Sequence, residues 1–204
     1  MTATILEPGV ITCVDEMLSG AECAEILDEL DYAWWWDSPL VHRGPDGTLV
    51  SRQSYRRTSR TTGEEWMGER TVQLLRRLEA DLHRAVGLRP DHLENWQAVR
   101  YRRGERFDEH HDAGFFESDA HGERTHSVVV YLDSQPNGGS IYFPALRRRI
   151  QPSPGRVLVW PNLLPDNTPD PRMRHIASPA RRTKTTLTVW ERQRRTRSKS
   201  PSRR

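Results

Sequence analysis

Apolar residues recur along this chain at two different periods, and the change of period divides it. Near the start the spacing is helical. Ser19-Gly20-Ala21-Glu22 forms a capping box, with serine at the N-cap and glutamate three residues on. Cys23, Ile26, Leu27 and Leu30 follow at i, i+3, i+4 and i+7, which predicts a helix over about 20–32. Thr62-Gly63-Glu64-Glu65 has the form of a second capping box. Trp66, Met67, Leu74, Leu75, Leu78, Leu82 and Val86 continue a helical stripe, and Gly87 supplies the stop. Between the two, 37–62 is polar, arginine-rich and punctuated by Gly and Pro, and a loop or irregular strands are expected there.

Past Pro90 the texture becomes that of strands. Short runs rich in β-branched and aromatic residues cover 95–101, 126–133, 140–143, 156–160 and 184–190. Pro136-Asn137-Gly138-Gly139 and Pro152-Ser153-Pro154-Gly155 are turn signals between them. Two helices followed by many short strands predict an α+β fold, mainly β, with the helices packed on a sandwich or barrel. There is no internal repeat. The seven tryptophans, including Trp34-Trp35-Trp36, are expected in the core and at its edges, with a minority lining a pocket.

Composition narrows this picture. The 204 residues suit one domain, and no apolar run approaches the roughly 18 residues that span a bilayer. The first residues lack a basic segment followed by a long apolar one, so no signal peptide is expected. Two cysteines, Cys13 and Cys23, make neither a disulfide framework nor a zinc site, and a reduced, cytoplasmic setting is expected. Charge is uneven. The segment 191–204 holds seven of the 31 basic residues and one of the 28 acidic ones, which leaves 1–190 at −3 although the whole chain is +3. Such an Arg/Ser/Pro segment is expected to be a solvated, disordered tail rather than a nucleic-acid contact.

Candidate chemistry centres on Arg106-Phe107-Asp108-Glu109-His110-His111-Asp112. In an extended chain, residues two apart share a face, so His110 and Asp112 point together and His111 points away. Two histidines and a carboxylate on one face of an octahedron hold ferrous iron and leave positions open for oxygen chemistry. The third ligand must come from elsewhere. The other histidines are His42, His83, His92, His121, His126 and His175; His83 falls in the second helix, His92 just past it and His121 in a polar loop, and His175, near the start of the last β-rich stretch, is the best candidate.

The surrounding residues carry a resemblance. Tyr101-x-x-Gly104-x-x-Phe107-x-x-His110-x-Asp112 is followed by Tyr131-Leu132, Gly138-Gly139, Phe143-Pro144, His175 and Lys184. This order resembles the prolyl 4-hydroxylase-like group of the Fe(II)/2-oxoglutarate-dependent dioxygenases. The likeness covers about 94–190 and is looser over 19–62, where Tyr55-Arg56-Arg57-Thr58-Ser59 fits the family's N-terminal region. It implies a double-stranded β-helix, or jelly roll, with supporting N-terminal helices. The implied organisation is a single domain over 1–190, helical or irregular to 90 with a jelly-roll core over 91–190, and then the basic tail.

The resemblance also implies roles. His110, Asp112 and His175 would bind Fe(II). Lys184, nine residues after His175, would pair with the distal carboxylate of 2-oxoglutarate, with Tyr131 and Thr188 hydrogen-bonding the same group and Tyr101 adding a contact. O2 would be the other cosubstrate and ascorbate a candidate reductant. A carboxylate at position 112 favours hydroxylation over halogenation, and desaturation or ring closure would use the same set. A small molecule such as an amino acid or biosynthetic intermediate is the substrate expected first, and a prolyl residue of a protein second. A non-catalytic jelly-roll binding module is the remaining alternative, against which the full ligand set and Lys184 argue. Neither membrane nor nucleic acid is an expected partner. Arg43, Arg52, Arg56, Arg57, Arg60 and Arg124 are the candidates for an arginine that clamps a substrate carboxylate.

Overall fold

The computed structural model describes residues 3–7, 11–44, 46 and 48–197. In chain order the elements are β1 (Ala3–Glu7), β2 (Ile11–Val14), α1 (Gly20–Leu30), β3 (Trp36–Asp37), β4 (Leu40–Arg43), β5 (Leu49–Arg52), β6 (Arg60–Gly63), α2 (Glu69–Val86), β7 (Gln97–Tyr101), β8 (Phe107–His110), β9 (Arg124–Tyr131), β10 (Ile141–Phe143), β11 (Arg148–Ile150), β12 (Val157–Pro161), β13 (His175–Ala177) and β14 (Lys184–Arg192). A large antiparallel sheet runs β1-β2-β12-β9-β14-β7-β6-β3. A smaller one, β11-β10-β13-β8, faces it, and β4-β5 is a separate hairpin. This is the expected jelly roll, mainly β, with two supporting helices. Among the described residues no helix is long and apolar enough to cross a membrane.

The period-two pattern of the strands creates two cores. Val128 and Val130 of β9, and Leu187 and Val189 of β14, point outward and are covered by Ile26, Leu30, Leu74, Leu78 and Leu82 of the helices. The alternate positions point between the sheets, where Val129 and Tyr131 meet Ile141, Phe143, Leu158 and Trp160. On β14 the inward set is Lys184, Thr186, Thr188 and Trp190, so the inner surface of this central strand is largely polar. A polar stripe in the middle of a sheet marks where the interior holds a site instead of a core.

The helix ends match and depart from the expected ones for physical reasons. At α1 the Ser19 side chain accepts the Glu22 N–H, and the Glu22 carboxylate accepts the Ser19 N–H, so the capping box is real. The box expected at Thr62 does not form. Thr62 is in β6, paired with Ala98 of β7, and a single 3-10 turn over Glu64–Trp66 intervenes before α2. Glu64 instead accepts the Trp96 N–H at 3.0 Å. Helix α2 starts at Glu69 after Gly68, which has no side chain to cap it. The Glu29 carboxylate of α1 supplies the missing acceptor, taking the Thr71 N–H at 2.9 Å. Gly87, at φ +77°, closes α2 as expected.

Two boundaries need correction. The region to residue 90 is not only helical or irregular, because β1 and β2 extend one edge of the large sheet and β3 and β6 the other. The expected tail does not begin at 191. β14 runs to Arg192, whose side chain is 7% exposed and pairs with Glu94 at 2.9 Å and Asp119 at 2.7 Å while donating to Gly122 O. Arg195 pairs with Asp91 and Arg197 with the buried Glu79. Of the four described basic residues in this segment, Arg192, Arg195 and Arg197 are answered by acids of the body, which a local net charge does not reveal, and Arg194 donates to the Ala120 and Asp119 carbonyls. The rest of the expected tail, 198–204, lies outside the described residues.

Candidate active site

The antiparallel pairing of β8 with β13 places His110 directly opposite His175. Asp112 follows two residues after His110, and the three residues bring one ligand atom each to within 4.8 Å of one another. His110 Nε2 lies 3.8 Å from Asp112 Oδ1, and His175 Nε2 lies 3.9 Å from Asp112 Oδ2. Each ring is oriented through its other nitrogen. His110 Nδ1 donates to Asp108 O at 2.8 Å and His175 Nδ1 to Met173 O at 3.0 Å. A carbonyl can only accept, so both Nε2 atoms present lone pairs to the shared space, as a metal requires. The Ser127 hydroxyl donates to Asp112 Oδ2 at 2.5 Å and aims the carboxylate.

The electrostatics agree with this division. Burial, reinforced by His175, pushes His110 well below the ordinary histidine range. Burial likewise lowers His175, with Asp112 opposing. Burial works against ionisation of Asp112, but His175, His110, Arg124 and the Ser127 hydroxyl outweigh it and hold its carboxyl below the usual range. Two neutral imidazoles and one carboxylate are the resulting donor set, which suits ferrous iron.

His111 takes no part in this cluster. Its Nδ1 accepts the Ala113 N–H at 3.0 Å and its Nε2 donates to Asp170 O at 2.9 Å, so neither nitrogen is left for a metal. Phe107, three residues before His110, stacks flat on the His110 ring with centroids 3.4 Å apart. Trp160 and Phe143 pack around His175 at 4.9 and 5.5 Å.

The triad opens into a cavity of about 610 Å³ between the two sheets. Lys184 stands in its wall, 1% exposed, donating from Nζ to Gly139 O at 2.9 Å and resting 4.2 Å above the Tyr101 ring. Burial pulls its ammonium down to about 8, partly offset by Asp133. Gly139, at φ +64°, brings that carbonyl in, and a Cβ there would lie 3.0 Å from Lys184 Cδ. Tyr101 and Thr188 also line the cavity. So does Thr186, which sequence reasoning passed over although it lies between Lys184 and Thr188 on the same face of β14.

Tyr131 sits deeper than the other expected cosubstrate contacts. It is fully buried and is not among the cavity-lining side chains. Its hydroxyl donates to Ile150 O at 3.3 Å and accepts the Ile141 N–H at 3.2 Å, tying β9 to the smaller sheet. Its face of β9 is the inward one, and its hydroxyl bonds main-chain groups of β10 and β11.

Of the six candidate arginines, Arg56, Arg57 and Arg124 reach the cavity wall. Arg60 pairs with Asp37 at the surface, Arg52 is exposed, and the side chain of Arg43 lies outside the described residues. Arg174, which the sequence did not single out, joins the wall through its place beside His175. Arg124 is held by both oxygens of Glu94 at 2.8 Å and lies 3.7 Å over the Trp190 ring.

With this geometry in hand, the likenesses to known proteins are coherent. Residues 96–192 match the family model of the 2OG-Fe(II) oxygenase superfamily. The chain is 28% identical over 145 residues to prolyl 4-hydroxylase subunit alpha-1 of Caenorhabditis elegans, a match covering 68% of this chain and 25% of that one. It spans between a quarter and about half the length of the curated relatives it matches. Its fold resembles the crystal structure of the viral collagen prolyl hydroxylase of Paramecium Bursaria Chlorella virus-1 in complex with 2OG. The TM-score is 0.66 at 17% identity, covering 90% of this chain and 96% of that one. A prolyl hydroxylase from Trichoplax adhaerens, in complex with a hypoxia inducible factor peptide fragment, gives a TM-score of 0.64 at 16% identity, covering 90% and 84%. At these identities the structural likeness is one of fold. Both the matched segment, 96–192, and the relatives therefore liken this chain to the 2OG-Fe(II) oxygenase superfamily and, within it, to prolyl 4-hydroxylases.

Proposed function

We propose that this chain is a member of that superfamily, an Fe(II)- and 2-oxoglutarate-dependent hydroxylase with a prolyl residue of a protein or peptide as its substrate. One observation carries the reaction class: the convergent His110, Asp112 and His175 share a cavity with Lys184, a buried ammonium that has one carbonyl and, among the described residues, no carboxylate within hydrogen-bonding distance. A cation so placed fits an anionic ligand, and the nitrogen–oxygen–nitrogen set fits ferrous iron. When bound, iron with 2-oxoglutarate and O2 supplies the oxidation of an unactivated C–H to an alcohol, with succinate and CO2 released.

The chain's own residues hold and shield these groups. His110, Asp112 and His175 would hold the iron, their geometry fixed by the Asp108 and Met173 carbonyls and by Ser127. Lys184 would neutralise the far carboxylate of 2-oxoglutarate, with the Thr188 hydroxyl and Tyr101 beside it. Trp36, Phe115, Phe116 and Trp190 line the cavity and would keep bulk water from the reacting carbon. Ascorbate fits as the reductant in assays.

The relatives move the peptide reading ahead of the small-molecule one. A free amino acid or biosynthetic intermediate stays as the second reading because the cavity, at about 610 Å³, has the size of a small-ligand pocket. The first test is anaerobic calorimetry of 2-oxoglutarate against the Fe(II)- or Mn(II)-loaded protein. Binding is expected, followed in air by succinate release, and failure to bind would remove the assignment. Proline-containing peptides and free amino acids, each screened for products heavier by one oxygen, then decide between the two substrates.

A further inference from the structure

We propose that Arg57 receives a carboxylate of the substrate, so that the molecule hydroxylated carries an acidic group close to the C–H placed at the metal triad. This rests on the hydroxylase reading above and names the substrate class for that site.

The inference comes from pairing off the charges in the cavity wall. Its cations are Lys184, Arg56, Arg57, Arg124 and Arg174, and its acids are Asp112 and Glu109. Asp112 belongs to the triad, and Lys184 faces the cosubstrate under the reading above. Arg124 is bound by Glu94, and Arg174 pairs with Glu109 at 2.7 Å. Arg56 is exposed and spends a nitrogen on Glu109 O at 3.1 Å. Arg57 is left. It is half-buried and has no carboxylate partner among the described residues.

What surrounds Arg57 fixes its position without neutralising it. Its backbone bridges to Phe107, and the Asp108 N–H reaches Arg56 O at 2.8 Å, so 56–57 lies against the start of β8. The guanidinium donates from Nε to Ser59 Oγ and from Nη1 to Pro39 O, both at 3.2 Å. Its central carbon is 4.9 Å from the centroid of the Phe107 ring. His110 already occupies one face of that ring, so Arg57 lies on the other, one aromatic layer from a metal ligand. Nη2 has no hydrogen-bond partner among the described residues. A half-buried cation held by neutral groups, with donors to spare, is costly unless a ligand brings the counter-charge. A carboxylate matches the planar fork of arginine. Trp36, Phe115 and Phe116 in the same cavity would take the apolar part of the substrate.

The carboxylate can come from an acidic residue next to the target proline or from the α-carboxylate of a free amino acid, and two matched pairs of probes separate these sources. Protein loaded with Mn(II) and saturated with 2-oxoglutarate, so that Lys184 is occupied, is titrated with the blocked peptides Ala-Pro-Asp and Ala-Pro-Asn, and with L-proline and L-prolinamide. The acidic member of one pair is expected to bind at least tenfold more tightly, and the pair that shows it names the source. Arg57→Gln should bring that ratio close to one, and Arg57→Lys should keep part of it, with thermal unfolding confirming that both variants are folded. No preference in either pair, no binding of either acid, or a preference that survives Arg57→Gln would overturn the proposal. So would a loss confined to 2-oxoglutarate affinity, which would assign Arg57 to the cosubstrate. If 2-oxoglutarate itself fails to bind the loaded wild-type protein, it is the hydroxylase reading that falls.

Discussion

Replacing Lys184 by methionine should move stability and ligand affinity in opposite directions. Lys184 is 1% exposed, with a single hydrogen bond, to Gly139 O. Burial depresses its pKa from 10.5 to about 8. At about 1.4 kcal/mol per unit this corresponds to about 3 kcal/mol lost by keeping the charge in the folded, ligand-free protein. The sign follows from proton counting. Between pH 8 and 10.5 the unfolded chain keeps the Lys184 proton that the folded protein has released, so this residue's contribution to stability rises with pH across that window and is most unfavourable below 8. Methionine has similar volume and no charge, so Lys184→Met should raise the stability of the ligand-free protein at pH 7 by up to about 3 kcal/mol, less any packing loss. The same variant should bind 2-oxoglutarate two to four decades more weakly, since removing one partner of a buried pair costs about 3–5 kcal/mol. Chemical unfolding from pH 7 to 10.5 measures the first effect as the difference between variant and wild type, which cancels titration of the buried tyrosines and cysteines. Anaerobic calorimetry with Mn(II) measures the second. A variant that is both less stable and unchanged in affinity would refute the reasoning, because Lys184 would then be a packing residue with no anion to meet.

Four further outcomes are expected. His110→Ala should abolish turnover and the weak visible band of the anaerobic Fe(II)–2-oxoglutarate complex, whereas His111→Ala, whose nitrogens serve Ala113 and Asp170, should keep the band. Ser127→Ala removes the hydroxyl that aims Asp112 and should weaken Mn(II) binding by about ten- to a hundredfold in a calorimetric titration. Tyr131→Phe should cost about 1–3 kcal/mol in denaturant unfolding, because the buried Ile141 N–H loses its partner, with little change in 2-oxoglutarate affinity. Truncation after Glu191 removes Arg192 and Arg197 from Glu94 and Glu79 and should lower Tm by roughly 10 °C, while an unchanged Tm would mean the segment contributes nothing.

Two of the three triad residues were legible in the sequence because their geometry is local. His110 and Asp112 share a face through the two-residue period of an extended chain, and the structure keeps that relation even though β8 ends at His110. His175 could be named from its position, but its register opposite His110 is a tertiary fact that only the β8–β13 pairing supplies. Lys184 and Thr188 came from the resemblance, and the same two-residue period places them on one face of β14. Thr186 was equally available by that rule and was missed because the resemblance drew attention to matched positions alone. Tyr131 shows what such matching does not carry. Its inward face was readable, but not that the Ile150 and Ile141 main-chain groups would occupy the hydroxyl.

The segment after 191 was misread for a different reason. Composition treats seven basic residues as a self-repelling tail, yet the acids that answer the first of them are far away in sequence. Glu79 is on α2, Glu94 precedes β7, and Asp119 lies in the 113–123 loop. A run of like charge predicts disorder only when the body offers no buried acids, and this body carries a net −3. The pairing also reaches the cavity. Glu94 binds Arg192 and Arg124 together, and both guanidinium groups flank the Phe116 ring, at 4.6 and 4.7 Å. Phe116 and Arg124 are cavity wall. Arg192 at the end of β14 therefore braces Phe116 and, through Glu94, Arg124 in the cavity wall.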